Sequence, residues 1–250
     1  MESTARAGSF CTSVLRTADP DRAARFYSAL IGWTTVPAAP DHAFLQFNGK
    51  TVASIQRIVA GRQVWIPHVC VDDIGRTTAD AVALGATVED GVDVPNVAKL
   101  ATVRDPGDAL FGLWQPAPHT GAEVRDDLGS IWWVELLARD IEAAREFYRR
   151  LFGWTVRETS FEPFDVYRVF ERPGSQEGGL MPLDPEWGIP PVWHTFVAVE
   201  DCDRTLARAC DLGGSTGFVH TVPKHGRIGG FFDGAGAGLI VRGPVRAPTT

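Results

Sequence analysis

The chain has 250 residues, of which 44% are hydrophobic, 10% aromatic and 22% charged. That is the composition of a folded globular protein, too apolar for disorder. Lys and Arg number 24 against 31 Asp and Glu, a formal charge of −7 with no basic tract. The phosphate-neutralising surface that nucleic acid requires is therefore not expected.

The segment Met1 to Gly8 has no apolar signal core, and the longest apolar runs, such as Ile131 to Ala138, stop far short of a bilayer span. No export and no membrane partner are expected, which places the chain in the cytoplasm. In chain order, a β-type run at Phe10–Thr17 leads into Asp19-Pro20-Asp21, an N-cap with proline in the first turn. Ala23, Phe26, Tyr27 and Leu30 follow at helical spacing, and Gly32 closes the helix. A second β-type run, Val64–Asp72, enters a helix from Asp73 to Leu84 that ends at Gly85. Pro116, Pro118, Gly121 and Asp126-Asp127 mark a linker. Beyond it the pattern recurs: strand Ile131–Ala138, helix Asp140–Phe152 with Gly153 as its stop, strand Val192–Glu200, and helix Asp201–Leu212 ended by Gly213. Short β-prone pieces punctuated by Gly, Pro and Asp follow each helix. Cys11, Cys70, Cys202 and Cys210 show no Cys-x-x-Cys spacing and read as reduced packing thiols.

The recurrence is an internal duplication. Gly8-Ser9, Asp19, Phe26-Tyr27 and Gly32-Trp33 match Gly129-Ser130, Asp140, Phe147-Tyr148 and Gly153-Trp154 at an offset of 121. Trp65, Asp73, Leu84-Gly85 and Asp105 match Trp193, Asp201, Leu212-Gly213 and Asp233 at an offset of 128. A longer loop at Arg172–Pro191 accounts for the difference. Each copy divides again into strand, helix and about three strands. The expected fold is α+β, with domains at 1–118 and 119–250.

Strand residues alternate faces, so each opening strand sorts into two sets when counted back from its capping Asp. One face is small or aliphatic: Ser13 and Leu15, Pro67 and Val69, Val134 and Leu136, Thr195 and Val197. The other carries Thr12, Val14 and Arg16; Ile66, His68 and Cys70; Trp133, Glu135 and Leu137; His194, Phe196 and Ala198. An aromatic and ionisable face opposite an aliphatic one suits a sheet that lines a cavity. Glu135 lies among Trp132, Trp133, Leu136 and Leu137, where desolvation raises a carboxyl pKa and suits it to acid/base work. The alternative is a carboxylate that hydrogen-bonds and fixes the sheet. His194 is its candidate partner, or else an interior histidine beside Trp193.

The phrases Arg25-Phe26-Tyr27 to Gly32-Trp33 and Glu146-Phe147-Tyr148 to Gly153-Trp154 resemble the vicinal oxygen chelate superfamily. So do the helix entries Val71-Asp72-Asp73 and Val199-Glu200-Asp201, and the turn Asp105-Pro106-Gly107 leading into Leu110–Pro116. That superfamily includes glyoxalase I, bleomycin-resistance proteins and extradiol dioxygenases. The resemblance spans roughly residues 8–243, and the tandem form with Trp132-Trp133-Val134-Glu135-Leu136 is similar to actinobacterial glyoxalase-like proteins. It implies two glyoxalase-like domains, each of two βαβββ units curled into a U-shaped cavity.

The resemblance also implies a divalent metal, held from slots that here carry Thr12, Ile66, Trp133 and His194 on opening strands and Gly112 and Ile240 on closing strands. Only His194 is a ligand type, and a mononuclear site takes about three protein ligands. No cofactor is therefore expected; a metal, if bound, would take His194 and Glu135. The leading expectation is a small-molecule enzyme of secondary or xenobiotic metabolism, of isomerase, cyclase or lyase type, with Glu135 and His194 catalytic. Its ligand would be apolar or aromatic, contacted by Trp132, Trp133, Trp193, Phe196, His68, Arg16 and Arg227. The alternatives are a non-catalytic drug-binding protein of the bleomycin-resistance type and a metal-dependent glyoxalase or dioxygenase. Either a monomer or a homodimer is expected.

Overall fold

The structure is a computed structural model that describes residues 6–245, so most of the opening segment read for an export signal lies outside the described residues. Four βαβββ modules follow one another. The first is β1 (Phe10–Thr17), α1 (Pro20–Ile31), β2 (Thr34–Ala39), β3 (His42–Phe47) and β4 (Lys50–Arg57). The second is β5 (Val64–Cys70), α2 (Ile74–Ala83), β6 (Thr87–Val94), β7 (Ala98–Arg104) and β8 (Leu110–Pro116). The third is β9 (Ile131–Ala138), α3 (Ile141–Phe152), β10 (Thr155–Phe161), β11 (Phe164–Arg172) and β12 (Ser175–Pro182). The fourth is β13 (Val192–Ala198), α4 (Cys202–Asp211), β14 (Ser215–Val222), β15 (Gly226–Phe232) and β16 (Gly238–Gly243).

Each helix begins where the sequence predicts. The side chains of Asp19, Asp73, Asp140 and Asp201 accept hydrogen bonds from the backbone N–H three residues on, satisfying donors that the first turn leaves open. The long helices stop at Gly32 (φ 86°) and Gly153 (φ 71°), left-handed positions that glycine takes without a Cβ penalty.

The strands make two curled eight-stranded sheets, in the orders β2-β3-β4-β1-β5-β8-β7-β6 and β10-β11-β12-β9-β13-β16-β15-β14. The stretch expected as one longer loop is mostly structured: it holds β12 and a 3-10 turn at Pro185–Trp187. The extra residues are spread out instead. The offset between equivalent strand starts grows from 121 at Thr34 and Thr155 to 125 at Lys50 and Ser175, and to 128 at Val64 and Val192.

Two compact units form. One contains the chain up to Thr12 with Ile66–Glu123 and Val134–His194; the other contains Ser13–Trp65, Val124–Trp133 and the chain from Thr195. Their cores follow one plan. In the first unit Tyr148 stacks on Trp154 at 5.4 Å, and its hydroxyl donates to Asp105 (2.8 Å) and accepts from Trp193 Nε1 (2.8 Å). In the second, the Tyr27 ring stacks on Trp33 at 5.7 Å, and its hydroxyl donates to Asp233 (3.1 Å) and accepts from Trp65 Nε1 (2.8 Å). Trp154 and Trp33 each donate to a backbone carbonyl, of Gly8 and Gly129 respectively, at 2.7 Å. Buried Tyr and Trp are stable here because every polar end has a partner.

Candidate active site

Glu135 stands in the middle of β9, paired in register with Gly179 on the parallel neighbour β12. Its Oε2 accepts a 2.6 Å hydrogen bond from the hydroxyl of Tyr167 on β11. Tyr167 is buried, and its ring packs on Phe161 (5.0 Å) and Phe164 (6.0 Å), which are 5.5 Å from each other. The β10–β11 hairpin thus sets the Tyr167 phenol against the carboxyl and backs its ring with Phe161 and Phe164. Protein atoms surround Glu135, yet part of its surface remains accessible. Burial raises its pKa to about 7, against the lowering effect of the Tyr167 hydrogen bond.

The two adjacent glycines of β12 face opposite ways. A Cβ at Gly178 would come within 2.9 Å of the Val134 carbonyl and 3.2 Å of Trp193, on the helix side. A Cβ at Gly179 would overlap the Tyr167 hydroxyl and approach Glu135 Oε2 to 2.9 Å. In β9, Val134 and Glu135 therefore point to opposite faces, as the alternation predicts.

His194 on β13 is enclosed but partly accessible, and burial lowers its pKa to about 4, so its imidazole is neutral at pH 7. Glu135 and His194 share the sheet but are not hydrogen-bonded to each other; the partner of Glu135 is Tyr167.

The other expected residues have separate places. Trp193 is buried in the helix-facing core against Tyr148, Trp154 and Phe10, so it serves packing. His68 is buried at 1% exposure, shares a 2.8 Å hydrogen bond with the Ile66 carbonyl, and meets Trp114 edge-on. Trp132 lies against Trp133 and Phe196, with the Arg242 guanidinium 4.9 Å above its ring. Arg16 stands beside Gln56 on β4. Arg227 forks onto Asp203 at 3.0–3.1 Å and reaches the Thr221 hydroxyl, as a surface ion pair.

Tyr167, Phe161, Phe164, Gly179 and Arg242 escape the sequence reading. The usable signal was Gly178-Gly179: paired glycines inside a strand mark close approach of other groups.

The donors do not fit the metal that the resemblance implies. A Cβ at Gly112, the closing-strand slot, would overlap the His68 ring, which lies over it in register. The other closing slot, Ile240, is buried and pairs with Phe196. Among the described residues no group of three or more His, Cys, Asp and Glu converges as a metal cage would. No described helix is long and apolar enough to cross a membrane.

Comparison with known proteins agrees with this architecture. Residues 12–114 match the model of a glyoxalase-like domain, and residues 130–239 match that of the glyoxalase/bleomycin resistance protein/dioxygenase superfamily. A Mycobacterium tuberculosis protein named "Putative glyoxylase CFP32" is 30% identical over 242 residues, covering 92% of each chain. The anthracycline biosynthesis protein DnrV of Streptomyces peucetius is 30% identical over 249 residues, covering 89% of each. Among solved structures, the Mn(II)-bound glyoxalase of Novosphingobium aromaticivorans superposes with a TM-score of 0.62 at 17% identity, over 97% of this chain and 89% of that one. A catechol 2,3-dioxygenase gives 0.58 at 11% identity, over 98% and 92%. At such identities the structural likeness speaks to the fold alone.

Proposed function

This chain belongs to the glyoxalase/bleomycin resistance protein/dioxygenase superfamily, and from that premise we propose that it is a small-molecule enzyme of secondary metabolism that moves a proton on an apolar, aromatic substrate. The observation that carries the reading is Glu135, an enclosed carboxyl hydrogen-bonded to the Tyr167 phenol, with a pKa of about 7. A group that is half ionised near neutral pH both takes and returns a proton, which is what isomerase, cyclase or lyase chemistry requires. The neighbouring rings of Phe161, Phe164 and Tyr167 suit a flat apolar ligand. A relative named for anthracycline biosynthesis supports an aromatic, polycyclic ligand class.

In this reading Glu135 is the acid/base and His194, neutral at pH 7, is a hydrogen-bonding group on the same sheet. No step is routed through a metal, because the donor set does not fit one.

The test is hydrogen exchange on 2-tetralone, an apolar aromatic ketone, in D2O. Wild-type protein is expected to accelerate washout of the hydrogens beside the carbonyl. Glu135→Gln should slow it by about 100-fold or more, the usual scale of general acid–base catalysis, while 2-tetralone affinity stays within threefold or so. A wild type no faster than buffer would turn the reading to a non-catalytic binding protein, and a variant as fast as an active wild type would remove Glu135 as the base.

A further inference from the structure

What the duplication repeats and what it leaves single are different kinds of residue. The buried Tyr, Trp and Asp sets recur in both copies, and so do the capping Asp and the helix-stop glycines. Glu135, Gly179 and Tyr167 do not recur. The register Glu135 to Gly179 is matched in the first copy by Val14 to Ser54. Tyr167 corresponds to His42, which lies on β3 two residues before Phe44, the partner of Ser54. A framework common to both copies explains the repeated residues; a carboxyl, a phenol and the glycine between them, present once, need another explanation.

We infer that Tyr167 is the positioning residue of Glu135, that Gly179 is the space that lets the two meet, and that the substrate is a planar ketone with an acidic C–H beside its carbonyl. The inference rests on the acid/base reading of Glu135. The phenol reaches the carboxyl at 2.6 Å because a hydrogen occupies the place where any other residue at 179 would put a Cβ. Phe161 and Phe164 hold the Tyr167 ring from its own hairpin. While Glu135 is ionised, the phenolic O–H donates to it.

When the carboxylate takes the proton from the carbon beside the carbonyl, the C–H pair becomes the enolate C=C bond and the carbonyl π pair moves to oxygen. Glu135 is then a neutral acid, and the Tyr167 O–H is released to donate to the enolate oxygen. Return of the proton from Glu135 to that same carbon restores the ketone and the carboxylate, with no other reactant. A phenol that serves a carboxylate first and an enolate second suits a substrate whose oxygen gains charge as the carboxyl loses it.

The test follows the Glu135 carboxyl by NMR in protein labelled with carboxyl-13C glutamate, assigned by its loss in Glu135→Gln. Tyr167→Phe removes a hydrogen bond to the charged form, so the titration midpoint should rise by about one pH unit. Gly179→Ala keeps the phenol but pushes it off the carboxyl, and should move the midpoint the same way. The nearest atoms its Cβ meets are the ends of the Tyr167 and Glu135 side chains, which can give way before the backbone of β12 does. An unmoved midpoint in both folded variants overturns the positioning role. Binding of 2-naphthol, a planar enol mimic, should weaken at least tenfold or so in Tyr167→Phe while naphthalene binds both proteins alike. Equal 2-naphthol binding, or no saturable binding to wild type, overturns the substrate class. Exchange of 2-tetralone that persists in Glu135→Gln would instead sink the acid/base reading, whatever the titration shows.

Discussion

At the residue scale, the Glu135 carboxyl is held against its own preference. Its ordinary pKa of 4.5 is raised to about 7 because the enclosure disfavours the charged form more than the Tyr167 hydrogen bond restores it. The folded pKa exceeds the unfolded one, so the fold is favoured by this group below about pH 4.5 and loses that contribution as pH rises through 7. The full difference is about 3 kcal/mol at most, less whatever solvent relieves at the accessible edge. Glu135→Gln should therefore raise the melting temperature at pH 8 and change it little at pH 4.5, measured by calorimetry at both values. Wild-type exchange activity should rise with pH between about 6 and 8 with a midpoint near 7, since the carboxylate is the base.

At the element scale, the helices are fixed to their units by one repeated device. A tyrosine on the buried face of α1 or α3 bridges an indole N–H and a carboxylate, Trp65 and Asp233 for Tyr27, Trp193 and Asp105 for Tyr148. Burial and the neighbouring carboxylate hold both phenols well above their ordinary pKa. Tyr148→Phe keeps the ring packing but leaves the Trp193 N–H unpaired and takes one donor from Asp105, whose other oxygen still accepts from Ala109 N–H. The expected loss is about 1–3 kcal/mol in urea unfolding, with Tyr27→Phe giving a loss of the same size from its own unit. A Tyr148→Phe protein as stable as wild type would show that water replaces the phenol. The alternation of faces along β9 acts at this scale too: Val134 joins the helix-facing core while Glu135, one residue on, is delivered to the opposite side.

At the scale of the whole molecule, duplication in sequence and grouping in space follow different lines. The repeat divides the chain near residues 116–128, and each half supplies one eight-stranded sheet. Each compact unit nevertheless draws residues from both halves: Asp105 and Tyr148 belong to one, Tyr27 and Asp233 to the other. Residues 1–118 produced alone should consequently lack the single sharp thermal transition of the full chain, and adding residues 119–250 should restore it. A sharp, independent transition in the isolated half, followed by circular dichroism, would show that each sheet is self-sufficient. The same duplication frees one copy to diverge, and the glutamate, tyrosine and glycine of the third module that have no counterpart in the first are where it has done so.

The composition, the repeat offsets, the Asp caps and the glycine stops determined the four βαβββ modules and the two-domain fold, because each signal acts over a few residues and needs no distant partner. The period-two alternation also placed Glu135 on the face opposite Val134. Tyr167 was beyond reach of that reasoning: it meets Glu135 only because β11 and β12 pair back onto β9, and Gly179 has no Cβ to block the phenol. Trp193 went the other way, from a candidate ligand contact to a core residue, because its neighbour across space is Tyr148. Local periodicity assigns a residue to a face; which groups converge on that face depends on strand order, register and the volume of side chains far away in sequence, and only the tertiary structure decides those.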